Sequence, residues 1–401
     1  MKKLFGLLSF SLALLMGQSA VMAATTVSLW HSYRAREKKA IEEVAAKFNE
    51  KNSDVQIKLL YVPYDAFADK ITAAVPRGKG PDLFIFAQDR VGDWAVSELI
   101  EPLDFWLTEE QREAFLPPTL EALTYDDSVY GLPMTFKMVA LFYNKDLVKQ
   151  PPKTTDELIA LAKKHTNEDE KKYGLVYENA NFYYQGMWLQ GFGGSVFDRR
   201  GKPVLASPEA VASMKFAQRL ARKENIMPEE ISSVLVTTLF NNGQAAMAID
   251  GPWFIGSIDS GVNYGVAVLP TITATGKPAM PFLTSEGLIM SARSENKKAA
   301  FEIMQYMTSP EVAKIMAKKG RQTVACKAAY DDPAVANDPV LSVFREQLKN
   351  SKPMPNSPAM RMVWSPATTA MNKVINGGVG PAEAMAEAQA DVAELVKKAR
   401  R

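Results

Sequence analysis

A chain of 401 residues is too long for one hydrophobic core of ordinary size, and a composition that is 47% apolar and 23% charged points to a globular protein of two domains. Lysine and arginine number 47 against 45 acids, and Lys2 and Lys3 belong to an N-terminal leader, so the remainder is electrically balanced. That balance lacks the basic excess a nucleic-acid partner requires, and a single cysteine, Cys326, excludes an internal disulfide.

In the leader, Lys2 and Lys3 precede an apolar run over residues 4–16, and Val21, Met22 and Ala23 supply the small residues a signal peptidase accepts. The run is too short to span a bilayer. It predicts a signal peptide over residues 1–23, cleaved after Ala23, with a one-pass anchor as the alternative. No cysteine follows the leader, so lipid attachment at a new N-terminal cysteine is not expected, and a free protein in the periplasm is.

Residues 26–30 (TVSLW) read as a strand, followed by helical spacing of Ile41, Val44, Ala45 and Phe48. A second strand over 55–62 and a helix over 66–74 lead to the stretch PDLFIFAQDR, residues 81–90. The run from Leu83 to Ala87 reads as a strand buried on both faces, ending in Gln88, Asp89 and Arg90. Strand, helix, strand, helix, strand predicts a doubly wound parallel sheet, whose carboxyl strand ends form the usual crevice for a small ligand. Phe86, Asp89 and Arg90 fall there. An apolar ring beside a carboxylate and a guanidinium suits a ligand with apolar faces and hydroxyl-rich edges, such as a sugar, although a core phenylalanine next to a surface ion pair reads the same way.

Further along, residues 139–143 read as a strand reached through a Pro-containing approach, and a helix restarts at 156–164 after Thr154 and Thr155. Residues 180–195 (ANFYYQGMWLQGFGGS) concentrate aromatics and glycines, so Phe182, Tyr183, Tyr184 and Trp188 are either core or a stacking surface. A short strand over 246–249 stops at Asp250-Gly251-Pro252 and presents Trp253. Residues 263–270 and 282–291 read as strands, the second interrupted by Thr284-Ser285-Glu286-Gly287, a polar break that marks a bend or a site. Helices over 299–307, 311–319, 344–348, 362–375 and 383–398 close the chain, with Trp364 near the start of the fourth.

No P-loop or dinucleotide-binding glycine motif is present, and two histidines, His31 and His165, supply poorly either a His-based metal site or a Ser-His-Asp triad. No cofactor or metal is expected. His31, just past a strand end, is either a ligand contact or a satisfied structural histidine.

The segments PDLFIFAQDR, YNKDL (143–147), AMAIDGPW (246–253), NYGVAVLPT (263–271) and MPNSPAM followed by Trp364 together resemble the maltose and maltodextrin binding proteins of ABC importers, within the larger family of extracellular sugar-binding proteins. The resemblance implies an α/β two-lobe periplasmic-binding-protein fold, with hinge crossings and a ligand cleft between the lobes. On this reading residues 24–136 form the first lobe, 137–281 the second, 282–328 return to the first, and 329–401 end in the second. It implies an oligosaccharide ligand held without chemistry, an inner-membrane permease and, as a further candidate, a chemoreceptor as partners, and a monomer. Other oligosaccharides or α-glucosides, and a glycan-processing enzyme, are the alternatives.

By resemblance Phe86 falls where an aromatic ring stacks on sugar, Asp89 and Arg90 on a hydroxyl-binding pair, Tyr183 on a stacking tyrosine, and Trp253 and Trp364 on stacking tryptophans. Lys137 stands where enteric maltose binders carry a sugar-binding glutamate, Asn181 replaces another acid, Ile255 a second tryptophan and Ser365 a tyrosine. A lysine donates hydrogen bonds and cannot accept them, so the hydroxyl pattern read there must differ. Tyr33, Arg34 and Glu37, in a segment (WHSYRAREK) closer to other sugar binders, and Glu286 are expected to line the first-lobe wall.

Overall fold

The first strand sets the architecture. In the computed structural model, which describes residues 24–228 and 231–399, β1 (Thr25–His31) buries Val27 and Leu29 and pairs in parallel with β2 (Val55–Tyr61) and β3 (Leu83–Ala87). The helix Ala35–Lys51 covers this sheet with Ala40, Ile41, Val44, Ala45 and Phe48, the apolar stripe its spacing predicts. The leader over residues 1–23 lies outside the described residues.

After a hairpin of β4 (Thr124–Tyr125) and β5 (Ser128–Val129), turned by the left-handed Asp126 and Asp127, β6 (Gly131–Lys137) joins the same sheet. The chain then crosses within two residues to β7 (Ala140–Asn144), which pairs antiparallel with β9 (Ala245–Asp250) and β10 (Tyr264–Ala267). Strand β8 (Tyr173–Val176) lies parallel beside β9 and completes a second, four-stranded sheet. A small hairpin, β11 (Thr271–Ile272) with β12 (Lys277–Pro278), precedes the return. Strand β13 (Phe282–Met290) re-enters the first sheet between β3 and β6, and β14 (Lys352–Pro353) pairs with its first residues. Two sheets with separate cores, joined at these crossings, form the two lobes.

Three sequence expectations change. The first sheet is mixed, because β13 enters directly from the second lobe without a crossover helix and runs antiparallel to β3 and β6. The Pro-containing approach before residue 139 is itself strand β6, in which Pro133 is accommodated because β6 lies at the edge of the sheet, its outer side bonded only near Thr135 by residues 323–325. The last crossing lies later than the expected break at 328/329. Ala329, Tyr330, Val335 and Leu341 belong to the first core, with the Tyr330 hydroxyl donating to the Val324 carbonyl at 2.7 Å, while Phe344 and Leu348 belong to the second. The helix Leu341–Leu348 therefore carries the chain across.

The lobes also meet where the helix Phe182–Gly191 packs on the start of β13. A Cβ at Gly186 would drive into the Phe282 ring, which is buried and held on its other sides. Gly186→Ala is expected to destabilise the protein by about 1–3 kcal/mol, an overpacking cost. Urea denaturation measures it, and an unchanged midpoint would show that the Phe282 ring yields freely.

Candidate functional site

Strands β1, β3 and β6 run in the same direction, so their carboxyl ends open on one side of the first sheet, together with the amino end of β13. The carboxyl end of β9 faces them from the second lobe. Between these ends lies a cleft of about 660 Å³. Tyr33, Arg34, Glu37, Lys137 and Glu286 line it from the first lobe, and Tyr183 and Trp253 from the second, all residues expected from the sequence. Tyr64, Thr284 and Arg321 line it as well.

The first-lobe ring is not the one expected. Phe86 is only 5% exposed, stacked on Phe67 with centroids 5.2 Å apart and tilted against Trp94 at 5.4 Å. Its remaining face is covered by Tyr64, stacked at 5.2 Å and 15°, and Tyr64 is 50% exposed. Tyr64 therefore presents the ring, with Phe86 and Phe67 as the layers behind it. The walls around Tyr64 desolvate its hydroxyl, and the Asp89 and Glu286 carboxylates add to this, so its pKa lies well above the ordinary value.

On the opposite wall, Asp250 ends β9 and accepts from the Gly251 N–H at 2.8 Å and from the Tyr184 hydroxyl at 3.0 Å. This fixes the turn that carries Trp253. The indole folds back over Gly251, where any Cβ would strike it, and remains 43% exposed. Tyr183 stands 6.0 Å from Trp253 at 57°, and its hydroxyl shares a 3.3 Å hydrogen bond with Thr284 Oγ1 on β13. Burial pushes the Tyr183 hydroxyl up to about 12, so it stays protonated.

The polar edge is built on β6 and β13. Lys137 Nζ donates to Glu286 Oε1 at 2.8 Å and lies 4.0 Å from Glu37, and Thr135 Oγ1 donates to Glu286 Oε2 at 2.8 Å. Burial works against the Lys137 ammonium, but the Glu286 and Glu37 carboxylates outweigh it and hold its pKa above the ordinary lysine value. A bulge between Glu286 and Gly287 sits in the polar break that the sequence singled out.

Asp89 and Arg90 follow β3, 3.6 Å apart, and contrary to expectation neither is among the residues that line the cleft. Among the described residues, neither Asp89 Oδ1 nor Arg90 Nε finds a hydrogen-bond partner, although both atoms are buried. Burial pushes the Asp89 carboxyl up to about 6, partly offset by Arg90. Trp364 does not line the cleft: it opens the helix Trp364–Ile375 and meets Phe182 edge-on at 6.2 Å. His31 is structural. It is buried, accepts from the Tyr33 N–H at 3.2 Å through Nδ1, and burial lowers its pKa to about 4. Among the described residues no group of three or more His, Cys, Asp or Glu is placed to hold a metal ion.

Flat rings on both walls, with charged donors and acceptors between them, suit a ligand that has apolar faces and a polar rim. Tyr64 was not foreseen: it opens the helix Tyr64–Ala74, three residues after β2 ends at Tyr61, and its local sequence does not set it apart.

Residues 32–314 match the family model described as bacterial extracellular solute-binding protein. A maltotriose-binding protein of Pyrococcus abyssi is 32% identical over 366 residues, covering 89% of this chain and 79% of that one. A galactooligosaccharide-binding protein of Bacillus subtilis is 28% identical over 362 residues, covering 87% of this chain and 84% of that one. Among solved structures, a cyclo/maltodextrin-binding protein complexed with maltotetraose superposes with a TM-score of 0.86 at 32% identity, covering 94% of this chain and 98% of that one.

The raised Asp89 pKa is a stability cost at neutral pH. In the unfolded chain this carboxyl ionises near its ordinary value, whereas in the folded state it does so only near 6, so its contribution is full in acid and is lost as pH rises through that window. Asp89→Asn is expected to be more stable than the wild type at pH 7.5, by on the order of 1–3 kcal/mol, with the difference gone by about pH 4. Denaturant titrations at the two pH values check it, and a gain of equal size at both would assign the effect to something other than ionisation.

Proposed function

The chain belongs to the family of bacterial extracellular solute-binding proteins, and from that premise we propose that it captures a maltodextrin-type oligosaccharide between its two lobes and delivers it to an inner-membrane ABC importer. The observation that carries this reading is the pairing of Tyr64 on one wall with Tyr183 and Trp253 on the other across a cleft of about 660 Å³. A sugar ring is apolar on its faces and hydroxylated at its edges. Aromatic rings take the faces, while Lys137, Glu286 and Glu37 supply donors and acceptors for the edges. Export with cleavage after Ala23 and residence in the periplasm belong to the same proposal.

Binding without turnover is the chemistry this arrangement favours. Of the carboxylates lining the cleft, Glu37 and Glu286, the latter is committed on both oxygens, Oε1 to Lys137 and Oε2 to Thr135, to holding neighbours rather than to proton transfer. A ligand touching both walls favours the closed arrangement of the lobes by its differential affinity for the two states, and the closed form is the one the importer reads.

Calorimetric titration with maltotriose tests the assignment. Trp253→Ala is expected to cost on the order of 2–4 kcal/mol of binding and Tyr64→Ala a comparable amount, as buried stacking anchors do. Chromatography of maltotriose after prolonged incubation is expected to return it intact. Absence of measurable binding, or the appearance of glucose and maltose, would refute the proposal.

A further inference from the structure

The first sheet ends at β2, which pairs with β1 alone. The Asp54 carbonyl accepts from the Thr25 N–H, and the Val62 N–H donates to the His31 carbonyl, so the even-numbered residues of this segment bond inward to β1. In a strand the N–H and C=O of one residue point to the same side, and the side alternates along the chain. Val55, Ile57, Leu59 and Tyr61 therefore turn theirs outward. A row of this kind is a template on which another strand can pair. The segment VQIKLLY suits such pairing, being rich in strand-forming residues and carrying a single charge, and Leu60 and Tyr61 are 44% and 39% exposed.

One side chain interrupts the row. Asn49, half-buried on the last turn of the helix Ala35–Lys51, reaches over the edge: the Ile57 N–H donates to Asn49 Oδ1 at 2.7 Å, and Asn49 Nδ2 donates to the Ile57 carbonyl at 3.0 Å. A carboxamide carries the same donor and acceptor as a peptide group, so Asn49 makes the two bonds to Ile57 that a pairing strand would make. Gln56 covers the amino-terminal end of the row, its Nε2 donating to the Asn49 carbonyl at 3.2 Å and to the Asn52 carbonyl, and lying 3.3 Å from the Val55 carbonyl. Beyond Ile57, only Leu59 and Tyr61 keep outward peptide groups without a hydrogen bond among the described residues. Pro63, the next outward position, has no N–H. The stretch left open, residues 59–61, is at the short end of strand lengths.

We propose that Asn49 is an edge guard, which keeps β2 from pairing with the same strand of a second copy of this chain and so keeps the protein monomeric. Identical edges related by a two-fold axis can pair antiparallel, and Asn49 occupies one of the two central positions that such a pairing needs. The packing of the helix does not itself call for an amide there, since its buried stripe is Ala40, Ile41, Val44, Ala45 and Phe48. The edge also matters to the cleft, because β2 ends three residues before Tyr64, and a second copy held along it would stand beside the wall that carries that ring. The inference does not depend on what the cleft binds.

Wild type, Asn49→Ala, and the double variant Asn49→Ala with Leu60→Lys are compared by sedimentation velocity over a wide range of concentration, alongside urea denaturation. The wild type is expected to stay monomeric throughout. Asn49→Ala is expected to associate as concentration rises, with slowed amide exchange at Leu59 and Tyr61 in the associated form. Leu60→Lys sets a charge against its own two-fold mate, so the double variant is expected to return to monomer while keeping the lowered stability of Asn49→Ala. A merely structural Asn49 would give the loss of stability alone. Asn49→Ala that is destabilised yet monomeric at every concentration overturns the proposal, as does association that Leu60→Lys does not reverse, or a wild type that already pairs through β2. If Asn49→Ala does not fold, amide exchange of the wild type carries the test. The Ile57 amide is expected to exchange about tenfold or more slowly than those of Leu59 and Tyr61, the effect of one hydrogen bond of ordinary strength, and equal exchange at the three amides overturns the guard.

Discussion

Strand β13 carries Thr284, half-buried, and Ser285 and Glu286, buried, where it enters between β3 and β6, and although the Ser285 hydroxyl finds no partner among the described residues, the site follows from how the other polar groups of this segment are held. The Ser285 N–H donates to Gln88 Oε1 at 2.8 Å, and Gln88 Nε2 donates back to the Leu283 carbonyl at 3.0 Å. Glu286 takes Thr135 and Lys137 from β6, and Thr284 meets Tyr183 from the opposite lobe. An unpaired polar group in such a position would cost about 1–3 kcal/mol, so these partners hold one another in place. The segment after β3, the end of β6 and the helix carrying Tyr183 are thereby located relative to a single strand.

Much of this was legible in the sequence because strand ends can be read from abrupt changes of polarity. The run LFIFA stops at Gln88, AMAID stops before Gly251, and the interruption at 284–287 stands inside an otherwise apolar strand; each marks a place where the cleft is built. The same run also contained the reason Phe86 is not a cleft ring. A strand buried on both faces spends all its side chains on packing, so Phe86 belongs to the layer between Phe67 and Tyr64. The ring that emerges comes from the next element over, and nothing in the local pattern around residue 64 distinguishes an exposed tyrosine of a cleft from one of an ordinary surface. Trp364 was misplaced for a related reason: its position in the chain says where its helix begins and not that its ring turns toward Phe182. The edge strand β6 was obscured by Pro133, and the last crossing by the short turns at Lys327–Asp331 and Pro333–Ala336, whose few apolar residues carry no period that assigns them to either lobe.

Electrical balance over the chain past the leader conceals an unevenness around the cleft. Lys137 stays charged because two carboxylates offset its burial, whereas Asp89 behind one wall and Asp250 behind the other are both pushed up to about 6 by burial. Asp250 keeps hydrogen bonds from Tyr184 and Gly251, so its role is to anchor the Trp253 turn. Asp89 has a buried oxygen with no partner among the described residues, and it lies outside the residues that line the cleft. Keeping that carboxylate desolvated costs stability at neutral pH.

The division of labour between the walls also bears on closure. Moving a two-state equilibrium from one part in a hundred to ninety-nine requires about 5.5 kcal/mol of differential affinity, and a ligand bound to one wall alone supplies none of it. Stacking between aromatic faces contributes roughly 0.5–1.5 kcal/mol beyond the area it buries, and a charge-assisted hydrogen bond about 1.5–3 kcal/mol. On the proposed reading, contacts on both sides have to act together, because only a ligand that touches both walls distinguishes the closed state from the open one. On that reading a saccharide long enough to touch both walls meets the condition, and one confined to either wall does not.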